Sequence, residues 1–463
     1  MARTMITGGK AVLPTGAQQV DILIENEKIA GIGQASSLAQ TDNWIDAKGQ
    51  IVLPGLIDMH VHFLDRFMGT ISLHDFFTGT RAAACGGVTT IIDFANQKKG
   101  GSLADAIEHK RSEADGHVVI DYGLHAEITD PTPAVMKEVR SIIKAGVPSF
   151  KVYTIYEGMM VDDGALLALF EQTSRGGGLV IVHAENNFIA DRLRREYLRE
   201  GKTGAMYHAL SKPNIVEAEA IGRIAYLAGH LKAPFYIVHM STREGRQIMQ
   251  HCRHKGQAAF AETCTHYLCL TDSVYRRRDG INYIISPPLR KQEDIEALWE
   301  GLHEGTISVV STDDASFSVE SKRMGKDSFD KVPNGMAGVE LRLPVMFSEG
   351  VLKRGLSLER MVELTSTNPA RLFGLFPQKG VIQVGSDADL VILDPQKKVK
   401  LGMKTTHMVT DFCSLEGLRV TGYPVMTLSR GKVIVENGKF VGRQGEGRFL
   451  HRKIDFNAIR NVR

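Results

Sequence analysis

Residues 147–159 read VPSFKVYTIYEGM, and Lys151 is the residue out of place among them. Phe150, Val152, Tyr153, Ile155 and Tyr156 have the aromatic and β-branched character of a strand entering a core, where an unpaired ammonium is strongly disfavoured. The same texture recurs on both sides: TTIIDFA, VIDYGLHAE, GLVIVHAEN, APFYIVHMS, AAFAETCTHYL and TISVVSTDD are short apolar runs, each followed by an amphipathic helical segment. Such β-then-α alternation implies parallel strands with crossover helices. Roughly eight units over roughly 320 residues, from about Gly55 to about Phe376, fit a (β/α)8 barrel better than an open doubly wound sheet. No GxGxxG or GxxxxGK[ST] loop follows the first strand, which argues against a nucleotide site.

The ends of the chain have a different texture. DILIENEKIAGIG and WIDAKGQIVLP near the start, and SDADLVILDP and YPVMTLSRGKVIVENGKFVG near the finish, are short apolar runs broken by Gly, Asn and Lys, the pattern of β-hairpins. One small β-sandwich built from both termini is expected, giving the division 1–52, 53–376 and 377–445. The basic tail, 446–463, is expected to be an arm packed on a neighbouring subunit, with a disordered terminus as the alternative.

Composition narrows the class. The 463 residues are 43% hydrophobic and 24% charged, those of a soluble globular protein. Lys and Arg total 56 against 53 Asp and Glu, a net charge of +3, so neither nucleic acid nor a membrane surface is favoured as a partner. The start, MARTMITGGK, has no apolar signal region and no long uncharged apolar run follows, so a cytoplasmic location is the default. The five cysteines, Cys85, Cys252, Cys264, Cys269 and Cys413, fit reduced thiols. Cys264 and Cys269 flank a His-Tyr pair but lack the second cysteine pair of a structural zinc site.

Barrel enzymes carry their chemistry at the carboxyl ends of the strands. PGLIDMHVHF ends an apolar run with His60 and His62, which point to one face of a strand because they are two residues apart. His183 ends LVIVH, His239 ends FYIVH, and Asp313 ends ISVVSTD. A lone strand-end histidine is more often a hydrogen-bonded structural residue, yet five such residues in one repeating unit form a metal-ligand set. Lys151 ends the strand between His62 and His183. Its neutral amine could add CO2 to give a carbamate that bridges two metals; equally, it could pair with a carboxylate or snorkel out of the strand end.

The motifs GLIDMHVHF, SFKVYTIYEG, VHAEN, YIVHMS, ETCTHYL, ISPPLR, STDD, NGMAGVE and LTSTNPARLFGL, in this order, resemble the cyclic amidohydrolases of the dihydropyrimidinase and D-hydantoinase family over nearly the whole chain. Within it the chain is most similar to the bacterial D-hydantoinases that act on aryl hydantoins. The resemblance implies two divalent metal ions per chain, usually zinc, with His60 and His62 on one and His183 and His239 on the other. Carboxylated Lys151 would bridge them and Asp313 would complete the first site. It further implies that Tyr156 donates to the oxyanion, and that Ser286 and Asn334 hold the ring amide and imide through their backbones. A bridging hydroxide would attack the ring carbonyl of a small cyclic ureide, and Asp313 would carry its proton to the departing nitrogen, giving an N-carbamoyl amino acid. The family also implies a homotetramer.

Two departures from the family stand out. Asp314 follows Asp313 where relatives commonly carry His; turned inward it would alter the metal site, and an outward direction is expected. The loop FLDRFMGT replaces a sequence like ELPF beside the pocket for the ring substituent. Glu185 is expected behind the ligands, and Asp93 and Asp121 as caps or pairs at strand ends. His74, His109, His117, His125, His208, His230, His251, His254, His266, His303 and His407 are read as surface or structural. The rivals are a true dihydropyrimidinase, an allantoinase or dihydroorotase, and a non-enzymatic dihydropyrimidinase-like scaffold. Leu64 stands where dihydroorotases carry the arginine of HxHxR, although Arg66 is close, and the complete ligand set argues against a scaffold.

Overall fold

The computed structural model describes residues 3–38, 41–460 and 462. Eight parallel strands run in sequence order around a barrel: β1 (Leu56–Val61), β2 (Val88–Asn96), β3 (Asp121–Glu127), β4 (Ser149–Tyr153), β5 (Leu179–His183), β6 (Phe235–Ile237), β7 (Ala259–Cys264) and β8 (Val309–Ser311). Side chains alternate across each strand. In β5, Leu179 and Ile181 pack with Met59, Phe94, Tyr236 and Phe260 in the barrel interior, while Val180 and Val182 join the layer beneath the helices. The crossover helices start where the sequence supplies an N-cap: Thr132, Asp162, Asn186 and Thr242 each accept a hydrogen bond from a first-turn backbone N–H.

The strand ladder stops between β8 and β1, and a buried arginine spans the seam. Arg342 Nη1 donates to Ile57 O and to Val310 O, both at 2.8 Å, and His62 N donates to Asp314 O at 2.8 Å one layer higher. The guanidinium thus ties the first and last strands together where their own ladder lapses.

Both termini build the second layer. Ile51–Pro54 pairs antiparallel with Leu390–Leu393 in a seven-stranded sheet, and a four-stranded sheet of Thr4–Thr7, Asp21–Glu25, Lys28–Gly33 and Asn43–Asp46 packs over it. Ile6, Ile22, Ile24, Val52, Leu390 and Leu428 fill the space between. An ionic bolt joins this sandwich to the barrel. Buried Lys379 reaches Asp121 of β3 at 2.8 Å and also meets Asp387 and Asp389, and Arg430 takes the other oxygen of Asp121.

The tail packs on its own barrel: Tyr122 N donates to Arg448 O, Leu450 N to Tyr122 O, and Arg452 N to Gly146 O. Ile454, Ile459 and Val462 enter the interior core from the amino-terminal ends of the strands, and the buried Arg452 guanidinium donates to Leu124 O, Phe373 O and Ser149 Oγ. The few apolar residues of the tail are spaced to plug the open mouth of the barrel, which burial rewards. Asn461 and Arg463 lie outside the described residues.

Candidate metal centre

At the other mouth, β1, β4, β5 and the turns after β6 and β8 bring His60, His62, Lys151, His183, His239 and Asp313 around one cavity, also lined by Tyr156, Ser286 and Asn334. Ring centroids of His60 lie 5.2 Å from His62 and 5.5 Å from His239, and His183 lies 4.3 Å from His239. Two sets of facing ligand atoms result. Asp313 Oδ1 is 3.0 Å from His60 Nε2 and 3.3 Å from His62 Nε2; His183 Nδ1 and His239 Nε2 are 3.0 Å apart. These separations approach the edge, roughly 3.3–3.6 Å, of a tetrahedron with bonds of 2.0–2.2 Å. His60 Nε2 is buried without a well-directed hydrogen bond, as a lone pair waiting for an ion would be.

Three of the four rings, those of His60, His62 and His183, have a carboxylate behind them. Glu262 of β7 contacts His60 Nδ1, Asp65 lies 3.0 Å from His62 Nδ1, and Glu185 accepts from His183 Nε2 at 2.8 Å. A carboxylate on the far nitrogen is the usual partner of a ligating histidine, because it fixes the tautomer and turns the other nitrogen inward. The residues present therefore fit two divalent ions.

Lys151 lies between the two sets and is 1% exposed. It forms no ion pair among the described residues and its Nζ sits over the rings of Phe94, at 4.7 Å, and Tyr153, at 4.8 Å. It therefore neither pairs with a carboxylate nor snorkels. Burial pulls the amine below the usual lysine range, only partly offset by Asp313, Glu127 and Glu262. Burial works against the charged forms of the neighbours too, but His60 and His62 hold the Asp313 carboxyl well below its usual range, while Asp313 and Asp65 push His62 up to about 10. His183, desolvated beside Lys151 and Lys212, falls to about 4 despite Glu185.

Tyr156, His239 and Asp313 have φ of 74°, 38° and 49°. Non-glycine residues in the left-handed region are uncommon, and strain of this kind collects at functional sites. Tyr156 stacks edge-on to Phe67 and His183, each with centroids 5.5 Å away, and burial pushes its phenol well above the usual range, so it stays a donor. The Ser286 hydroxyl, at the cavity wall, donates to Glu185 Oε2 at 2.8 Å and meets Lys212 Nζ and the Tyr156 phenol.

Asp314 points away from the ligands and is fully buried. It accepts from His74 Nδ1 at 2.8 Å, Gly338 N at 2.7 Å and Val339 N at 2.9 Å, tying the loop after β8 to the next segment. His74, His125, His208 and His266 are buried, and His109, His117, His230, His251, His254 and His303 are at the surface. His125 serves Ser149 Oγ and Met59 O inside the barrel. The second acidic trio, Asp121, Asp387 and Asp389, is occupied by Lys379 and Arg430 and carries no metal reading. Sequence reasoning missed Glu262, Asp65 and Lys212. For Glu262 a signal existed: a carboxylate inside the apolar run AAFAETC needs a buried partner as much as Lys151 does.

An eight-stranded parallel barrel with such a cluster at the carboxyl ends of its strands defines a barrel enzyme with a metal-ligating rim. This chain belongs to the amidohydrolase family, whose model matches residues 51–434. It is 43% identical over 453 residues to the D-hydantoinase of Ralstonia pickettii, covering 97% of this chain and 98% of the relative. The D-phenylhydantoinase of Escherichia coli O1:K1 is 41% identical over 456 residues, again with 97% and 98% covered. Among solved structures, the dihydropyrimidinase of Brevibacillus agri superposes with a TM-score of 0.96 at 39% identity, covering 97% of this chain and 99% of that one. No helix among the described residues is long and apolar enough to cross a membrane.

Proposed function

We propose that this chain hydrolyses the ring amide of cyclic ureides, 5-monosubstituted hydantoins such as phenylhydantoin first and dihydropyrimidines second, to N-carbamoyl products. The observation that carries this reading is the pair of facing ligand sets around buried Lys151, in a chain more than 40% identical to hydantoinases along nearly its whole length.

His60, His62 and Asp313 would hold one divalent ion and His183 and His239 a second, with Lys151, carboxylated by CO2, between them; zinc suits this set of imidazole and carboxylate ligands. When bound, such a pair polarises the ring carbonyl and brings the pKa of a coordinated water near neutrality. The chain's own groups do the rest. Asp313 removes a proton from the attacking water and delivers it to the ring nitrogen, so that the C–N bond breaks as a neutral amide leaves. The Tyr156 hydroxyl donates to the carbonyl oxygen as it gains negative charge. The backbones at Ser286 and Asn334 fix the ring, and the apolar Phe67, Met159 and Phe317 line the same cavity.

The test is a metal count on purified protein together with hydrolysis of D- and L-phenylhydantoin and dihydrouracil, before and after chelation. About two ions per chain and chelation-sensitive ring opening are expected, with the preferred substrate separating hydantoinase from dihydropyrimidinase. No turnover of any of the three by metal-replete protein would sink the proposal.

Glu262 offers a second check, since it contacts His60 Nδ1, accepts from His239 N at 3.1 Å and from Tyr236 at 3.1 Å. Glu262→Gln is expected to weaken metal affinity by about 10- to 100-fold, measured by competition with a chromophoric chelator. Wild-type affinity in the variant would remove Glu262 from the metal-orienting set.

A further inference from the structure

Lys322 is a second buried lysine that the mechanism does not use. It lies in the short helix Val319–Arg323, its side chain is fully buried, and among the described residues it forms no ion pair. Its Nζ donates to two carbonyls only: Ile284 O at 2.8 Å and Pro333 O at 2.7 Å. Ile284 stands two residues before Ser286, and Pro333 immediately precedes Asn334. Gly335 N reaches the same Ile284 O at 3.1 Å, so the two loops are stitched at one node. The Tyr156 hydroxyl also meets the Ser286 and Asn334 side chains, but Lys322 joins the two loops through their backbone carbonyls.

We propose that Lys322 is a positioning residue for the substrate ring: its amine clamps the Ser286 and Asn334 loops at the separation that lets their backbones grip the ring amide and imide together. This rests on the ring-holding role proposed for those two residues. A buried amine is costly to desolvate, but an alkyl side chain in its place would leave the Pro333 carbonyl buried without its donor. The amine therefore fixes the spacing of the two loops through these two carbonyls. Burial alone holds its pKa well below the usual lysine range, and a neutral amine has two N–H donors, matching the two acceptors present. The clamp sits away from the metal ligands, so it acts on ring binding without touching the ions.

Contacts that hold the ring equally before and during reaction affect KM and leave kcat alone. Lys322→Met, close in length and lacking donors, is therefore expected to raise KM for phenylhydantoin by roughly tenfold, the equivalent of about 1.4 kcal/mol of lost positioning, with kcat and metal content close to wild type. Lys322→Gln, one bond shorter and able to serve one carbonyl, should fall between. A Lys322→Met KM within about twofold of wild type, or a fall in kcat and metal content with KM unchanged, overturns the inference. If the methionine variant does not fold, the glutamine variant decides: a raised KM at full metal content supports the clamp, and a wild-type KM overturns it. Failure of the proposed reaction looks different, because wild type itself would then open none of the rings.

Discussion

Lys151→Ala is expected to lose at least one metal ion per chain and about 10^3-fold or more of kcat/KM, since the bound ions are asked for several kcal/mol and each 1.36 kcal/mol is tenfold. The expectation follows from where the amine sits. It is 1% exposed, has aromatic rings at 4.7 and 4.8 Å, and forms no ion pair among the described residues. Left as an ammonium it would be a buried, uncompensated charge beside two sets of metal ligands. Carboxylation removes that conflict, because it converts a desolvated neutral amine into an anion with two oxygens. Lys151→Arg separates the two roles: a guanidinium keeps the charge and cannot be deprotonated to react with CO2. It should therefore be as inactive as the alanine variant. Metal analysis and turnover of both variants make the check, and two retained ions with near-normal turnover in either would remove the bridging carbamate.

Tyr156→Phe should leave the metals in place and lower kcat by about 10^2- to 10^3-fold, the range for losing one oxyanion donor. The phenol is well suited to that role. It is held at φ 74° by the turn after β4, edge-on to Phe67 and His183, and burial keeps it protonated. The loss should fall on kcat more than on KM, because the donor meets full negative charge only as the carbonyl oxygen becomes an oxyanion. An unchanged kcat would leave Tyr156 as a wall of the pocket.

Much of this molecule is written locally. The barrel was legible because each strand carries its own hydrophobic run and is followed by an amphipathic helical segment, signals that need no distant partner. The candidate ligands were legible for the same reason: His60, His62, Lys151, His183, His239 and Asp313 all fall at matching places of one repeat, and barrel geometry sends matching places to one rim.

What surrounds them was not legible. Glu262, Asp65 and Lys212 act through partners tens to hundreds of residues away or through a turn whose shape the sequence does not announce; Glu262 meets a histidine 202 positions distant. Arg342 closes the barrel, Lys379 bolts the sandwich to it, and Lys322 joins the Ser286 and Asn334 loops. Each is a buried basic side chain whose meaning lies in the carbonyls or carboxylates that folding places beside it.

The tail shows the same division. Its sequence mixes scattered apolar residues with basic ones, and read alone it looks like an arm for another subunit. Tertiary structure gives Ile454, Ile459 and Val462 a barrel mouth to fill and gives Arg452 three acceptors. The sequence by itself determined the repeating unit and the residues at its active ends, because periodicity and strand-end chemistry are local. Only the tertiary structure decided which buried charges meet, because a charge is neutralised by whatever lies within a few ångströms of it in space, regardless of distance along the chain.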